Sequence, residues 1–277
     1  MMQYYTEQEA RALIIDAGHR LLKKKLVART WGNISARISP REFLITPSGR
    51  EYDSLTPEEL VKVSIDDLSY EGTIKPSSEK GVHADAYGLR PEVRFIIHTH
   101  QLYASAVGNA DTDLPFAPCA HYALPGTGKL RRCLCEAMAA NRENYTFLMA
   151  RHGALCLGRD CEDAFALAER LEEDCRAQFA LRCDAGETEI VSRYCRSHRL
   201  LPACIDDFAQ IVGPCAFIRN GKVCMSKSDD EEASALITLK NCAAALYAPQ
   251  ALSLPDAILQ RVVYLTKYSK QKQRNRK

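Results

Sequence analysis

Residues 93–98 of this 277-residue chain, Val93-Arg94-Phe95-Ile96-Ile97-His98, form a β-branched and aromatic run suited to a strand in the middle of a sheet. A strand in that position needs cover on both faces, and the flanking segments can supply it. Apolar residues recur at helical spacing over 7–26 (Ala10, Leu13, Ile14, Ala17, Leu21, Leu22), and a lysine cluster suits the C-terminal end of that helix. Further helices are expected over 79–90, where Pro91 stops the run, from Leu102 onward, near 130–140 and over 160–182. Strand alternation is read at 33–38, 43–46, 60–65, 145–150 and 154–157, and the early strands read as antiparallel. The expected fold is α/β: a mixed, largely antiparallel sheet sandwiched between helices.

An apolar content of 46% is enough for an ordinary buried core. Charged residues make up 26% and nearly cancel to +2, so no global field favours nucleic acid or a membrane surface as partner. A small-molecule substrate is the expectation. No stretch approaches the roughly 18 apolar residues of a membrane span, and the first residues carry no basic segment followed by an apolar run. A cytoplasmic location follows as an expectation. In that setting the twelve cysteines read as reduced thiols, and Cys133-Leu134-Cys135 reads as part of a helix, not as metal ligands.

His98-Thr99-His100 closes the apolar strand. Side chains two apart on a strand share a face, so both imidazoles can reach one ion, although two histidines at a strand end also suit a polar loop. His152, between two apolar strands, can supply a third nitrogen and leave a coordination position open. A second group of segments suits an anion: Gly32-Asn33-Ile34-Ser35, Thr46-Pro47-Ser48-Gly49 and Pro76-Ser77-Ser78-Glu79 offer hydroxyls, amides and bare backbone N–H groups. Each alone also reads as an ordinary turn or cap, and Glu79 alone as a carboxylate favouring a helix dipole.

These segments, with His83, Arg90-Pro91 and Arg151-His152-Gly153 in the same order, resemble the class II aldolase/adducin family over roughly residues 7–185. The resemblance implies a Zn2+ held by His98, His100 and His152, and a substrate phosphate bound by Asn33, Thr46, Ser48, Gly49, Ser77 and Ser78. It implies Glu79 as the catalytic acid/base and a homotetramer with sites between subunits. The activity it implies is zinc-dependent cleavage of a ketose 1-phosphate, similar to L-fuculose 1-phosphate, to dihydroxyacetone phosphate and an aldehyde. A raised pKa from partial desolvation is expected to suit Glu79 to proton transfer. Sugar-phosphate 4-epimerase, dehydratase or decarboxylase chemistry is the alternative within the family, and an assembly module like adducin the alternative outside catalysis. The family carries a functional tyrosine near the shortened segment 115–123, where Tyr122 stands.

The resemblance divides the chain into a catalytic domain over 1–187 and a C-terminal α/β extension over 188–277. Arg219-Asn220-Gly221-Lys222-Val223-Cys224 echoes Arg151-His152-Gly153-Ala154-Leu155-Cys156, so the extension reads as a partial repeat with Asn220 where the histidine stood, a structural appendage. Its last segment, 267–277, holds six basic residues in eleven and reads as a disordered tail.

Overall fold

Thr6 starts the first helix by accepting from the Glu9 backbone N–H at 3.2 Å, while the Glu9 carboxylate takes the Thr6 N–H at 2.8 Å, a reciprocal cap that satisfies two free donors. In the computed structural model, which describes residues 3–220, 222–224 and 231–268, this helix, α1, spans Glu7–Lys23. There follow β1 (Asn33–Arg37), β2 (Glu42–Ile45), β3 (Val61–Ser64), α2 (Lys80–Leu89), β4 (Phe95–Thr99), α3 (Leu102–Val107), β5 (Cys119–Ala120), α4 (Gly128–Ala140), β6 (Thr146–Met149), β7 (Gly153–Gly158) and α5 (Cys161–Ala180). The C-terminal part adds α6 (Glu187–Ser197), β8 (Leu200–Pro202), α7 (Asp206–Val212), β9 (Cys215–Arg219), β10 (Lys222–Cys224), α8 (Glu231–Tyr247) and α9 (Leu254–Val263).

The main sheet has the order β3-β2-β1-β4-β7-β6-β5, antiparallel throughout except for the parallel β5–β6 pair. The run predicted as a central strand is its middle strand, β4, between β1 and β7. Alternation along the strands divides the core. Ile34, Ala36, Leu44, Phe95 and Ile97 face a layer made by α1, α3, α5 and the C-terminal helices, whereas Phe43, Ile45, Val63, Ile96 and Leu155 face α2 and α4. The expected sandwich of a largely antiparallel sheet between helices is therefore the observed one.

The C-terminal part carries its own three-stranded antiparallel sheet, order β10-β9-β8, with α8 after it. The sequence echo thus falls on two hairpins each followed by a helix. Arg151 and Asn220, at the corresponding turns, both adopt left-handed backbone, with φ of 62° and 51°; Gly221 lies outside the described residues, as do 269–277 of the basic tail. Cys133 and Cys135 lie on α4 as free thiols.

Candidate active site

Two glycines let the chain close around the end of β4. A Cβ at Gly153 would lie 2.1 Å from the Thr99 carbonyl oxygen, and one at Gly32, where φ is +77°, would lie 2.6 Å from the His98 carbonyl oxygen. The turn before β7 and the entry to β1 can therefore press against the strand that carries the two histidines. His152 sits in that turn, and His98 and His100 at the strand end.

All three imidazoles are buried, and their Nε2 atoms converge. His98 Nε2 is 3.0 Å from His152 Nε2 and 3.0 Å from His100 Nε2. The other ring nitrogens fix the tautomers. His98 Nδ1 faces the Ala154 carbonyl at 2.9 Å, His100 Nδ1 the Asp207 carboxylate at 2.7 Å and His152 Nδ1 the Asp206 carboxylate at 3.1 Å. The carbonyl and the Asp207 carboxylate, whose pKa the His100 and Lys240 charges hold well down against its burial, only accept. So does Asp206 when ionised, burial raising its pKa and the His152 and Gln260 hydrogen bonds opposing that. Each Nδ1 then carries the proton and each Nε2 turns a lone pair toward the same point. Three lone pairs this close need a positive charge among them, and three nitrogens with further positions open are a donor set that Zn2+ takes.

Glu79 closes the cluster. It occupies the cap position of α2, but its side chain makes no capping bond; its carboxylate oxygens lie 3.4 Å from His98 Nε2 and 3.5 Å from His152 Nε2. Asn33 Nδ2 donates to it at 2.8 Å. The Asn33 oxygen in turn accepts from His83 Nε2, and Ser35 Oγ donates to His83 Nδ1 at 2.7 Å while accepting from Tyr87 at 2.8 Å. Each hydrogen bond in this buried chain, from Tyr87 to Glu79, has one consistent direction, which makes the carboxylate's orientation rigid.

Electrostatics correct one expectation. Burial pushes the Glu79 pKa up, as anticipated, but attraction to the imidazoles of His98 and His152 and the Asn33 hydrogen bond outweigh it and hold the group down to about 2. The carboxylate rests ionised. Burial brings His98 down to about 3 and His83 to about 4 and also lowers His100, while His152 is raised because Glu79 and Asp206 overcome its burial.

The anion-binding segments meet beside this cluster. Ser48 N–H bonds the Lys75 carbonyl at 2.9 Å and Ser77 N–H the Thr46 carbonyl at 3.0 Å, drawing the two loops together. One pocket is lined by Asn33, Ser48, Gly49, Ser77, Ser78, Glu79, His100 and His152. Thr46 is absent from its wall; its hydroxyl accepts from the Ile34 N–H at 3.2 Å instead. Trp31 adds an aromatic face, its indole lying against the His100 ring at 6.4 Å between centroids. Gln210, Leu259, Gln260, Val263 and Tyr264, all C-terminal, complete the wall. Tyr122 is off it, its hydroxyl accepting from Gln260 Nε2 at 3.3 Å.

The residues least visible in the sequence are Asp206 and Asp207. The signal was an acidic pair enclosed by Ile205 and Phe208-Ala209, with no basic residue near it. Nothing local says that histidines more than fifty residues earlier in the chain are its partners.

A helix-covered antiparallel sheet with three convergent histidines, an adjacent carboxylate and serine-rich loops defines the class II aldolase type of fold and site. The match to the model of the Class II Aldolase and Adducin N-terminal domain covers residues 12–179, and the chain belongs to that family. It is 34% identical over 179 residues to 5-deoxy-D-ribulose 1-phosphate aldolase of Bacillus thuringiensis serovar kurstaki, covering 60% of this chain and 82% of the relative. It is 30% identical over 192 residues to 3-oxo-tetronate 4-phosphate decarboxylase of Pectobacterium atrosepticum, covering 64% and 86%. The solved structure of an L-fuculose 1-phosphate aldolase superposes with a TM-score of 0.57 at 28% identity, over 62% of this chain and 85% of that one. Relatives also include L-ribulose-5-phosphate 4-epimerases of Salmonella. These relatives are enzymes named for small sugar phosphates, and no helix among the described residues is long and apolar enough to cross a membrane.

Proposed function

We propose that this chain is a zinc-dependent aldolase that cleaves a small ketose 1-phosphate, of the L-fuculose 1-phosphate kind, to dihydroxyacetone phosphate and an aldehyde. The observation that carries the reading is the position of Glu79, within 3.5 Å of two convergent imidazole nitrogens and lining the same pocket as Ser48, Gly49, Ser77 and Ser78.

His98, His100 and His152 would hold the metal. When bound, it supplies Lewis-acid polarisation of the substrate carbonyl and takes up the negative charge that cleavage develops. Ser48, Ser77 and Ser78 offer hydroxyls, and Gly49 bare backbone, to the phosphate. Asn33 spends its amide on Glu79 and His83 and so supports the base from the edge of the phosphate loops, while Thr46 anchors the loop behind them. In the condensation direction the ionised Glu79 takes the proton from the donor carbon directly; in cleavage it first takes up the proton released by the substrate hydroxyl whose oxygen becomes the aldehyde, and then returns that proton to the donor carbon. Trp31, Leu124, Pro125, Leu259 and Val263 give the wall an apolar patch beside the polar Thr30, Thr127, Gln210 and Gln260, and that patch favours an aldehyde portion that ends in a methyl group. The assembly module is disfavoured because all three histidines and Glu79 are present and convergent.

We infer a cytoplasmic homotetramer, the assembly carried over from the family resemblance; the exposed apolar side chains of α9, Leu254, Ile258 and Val262, support contact between copies. The test is a panel of phosphorylated and free sugars, with products separated. Release of dihydroxyacetone phosphate from a ketose 1-phosphate, and much slower reaction of the free sugar, is expected. Turnover limited to epimerised or decarboxylated products would replace the aldolase reading by one of its relatives' reactions.

A further inference from the structure

Asp206 and Asp207 are adjacent, fully buried and carried by the C-terminal extension, yet each bonds a histidine of the catalytic domain. Buried carboxylates persist only where their oxygens are satisfied, and here all four are. Asp207 accepts from His100 Nδ1 with one oxygen and from the buried Lys240 ammonium with the other. Asp206 accepts from His152 Nδ1 with one oxygen and from Gln260 Nε2 with the other.

The backbone holds the pair equally firmly. The Asp206 N–H bonds the carbonyl of Arg151 at 2.8 Å, in the turn that carries His152, and Asn241 Oδ1 on α8 accepts from the N–H groups of Cys204 and Ile205 at 2.8 and 3.3 Å. The start of α7 is therefore fastened on one side to a histidine-bearing turn and on the other to α8. A surface appendage would not need this arrangement. Lys240 is likewise a fully buried cation on α8, and its charge is directed to the carboxylate behind His100.

We propose that the extension is an integral part of the metal centre, with Asp206 and Asp207 as positioning residues that set the tautomer and ring orientation of His152 and His100, and with Gln260 and Lys240 fixing the two carboxylates. Residues that accept the second N–H of a ligating histidine orient the ring and raise its basicity. Here they reach the site in cis from more than fifty residues away in sequence. The inference rests on the reading of His98, His100 and His152 as the metal site.

The full-length protein is stripped of metal and titrated with Co2+, the dissociation constant being read by competition with a chromophoric chelator and the geometry by visible absorption. The parent is expected to bind one Co2+. Asp206→Ala is expected to bind it roughly 10- to 100-fold more weakly with an altered spectrum. Asp206→Asn, which keeps an acceptor oxygen against His152 Nδ1, is expected to recover most of the loss. Should Asp206→Ala not fold, Gln260→Leu is read in its place, since it leaves both aspartates and removes the hydrogen bond that fixes Asp206, together with contacts to Tyr122 and Gln210 that touch no histidine; a several-fold weaker constant is expected. Variants that bind Co2+ as tightly as the parent with an unchanged spectrum, whatever their thermal stability, overturn the positioning role and leave the three-histidine site standing. A parent that binds no Co2+ overturns the three-histidine reading itself.

Discussion

At the scale of single residues, Glu79 can serve either as a helix cap or as a proton carrier. A carboxylate that only favours a helix dipole contributes ~0.3–1 kcal/mol and nothing to rate, and the absence of a capping bond from its side chain argues for the other role. Glu79→Gln is expected to fold and keep its metal while turnover and proton exchange at the donor carbon both fall ~100- to 10,000-fold; near-normal steady-state rates for this variant would remove Glu79 from the mechanism. His83 gives a prediction in pH. Its folded pKa is about 4 because it is buried, against roughly 6.5 in an unfolded chain. Above pH ~6.5 both states are neutral at this residue. Between there and about 4 the unfolded chain takes up a proton that the folded one refuses, so stability falls with falling pH by up to about 1.4 kcal/mol per unit. Urea unfolding of metal-free protein across that window should show a shallower acid-side decline in His83→Gln than in the parent, His98 continuing to contribute in both.

At the scale of elements, the packing of the turn between β6 and β7 against β4 is what brings His152 to His98. Gly153→Ala would set a methyl group 2.1 Å from the Thr99 carbonyl oxygen, a contact only backbone movement can relieve. A loss on the order of 3 kcal/mol or more, read from urea unfolding, is expected, together with weakened metal binding; an unperturbed variant would show that the turn has room to shift. This scale is also where the sequence was most readable. The Val93–His98 run, the helix stopped by Pro91 and the strands around Ser39-Pro40 appear within a few residues of where their periodicity places them, because each has one face committed to a core. The two-residue strand β5 left no such trace, since two residues cannot express a period. The pairing of Asp206 with His152 and of Asp207 with His100 was invisible for a different reason: it depends on where a distant helix docks, and no local pattern encodes that. Thr46 shows a third kind of gap, because its segment suits an anion while its own hydroxyl is committed to a backbone N–H.

At the scale of the whole molecule, the two parts of the chain share one site. The family match ends at residue 179, yet Gln210, Leu259 and Gln260 wall the pocket and Asp206 and Asp207 stand behind its histidines. The resemblance led to the catalytic half, and its silence about the rest made the extension read as an appendage; the packing of α7, α8 and α9 around the cluster is what that silence concealed. The claim that unites both halves is that three imidazoles have been gathered around a cation. Metal analysis of the purified protein after loading with Zn2+ and removal of excess tests it most directly, alongside His100→Ala. The account predicts close to one zinc per chain in the parent and a severe loss of binding in the variant; a parent that retains no divalent metal, or a variant that retains it as tightly, would contradict it.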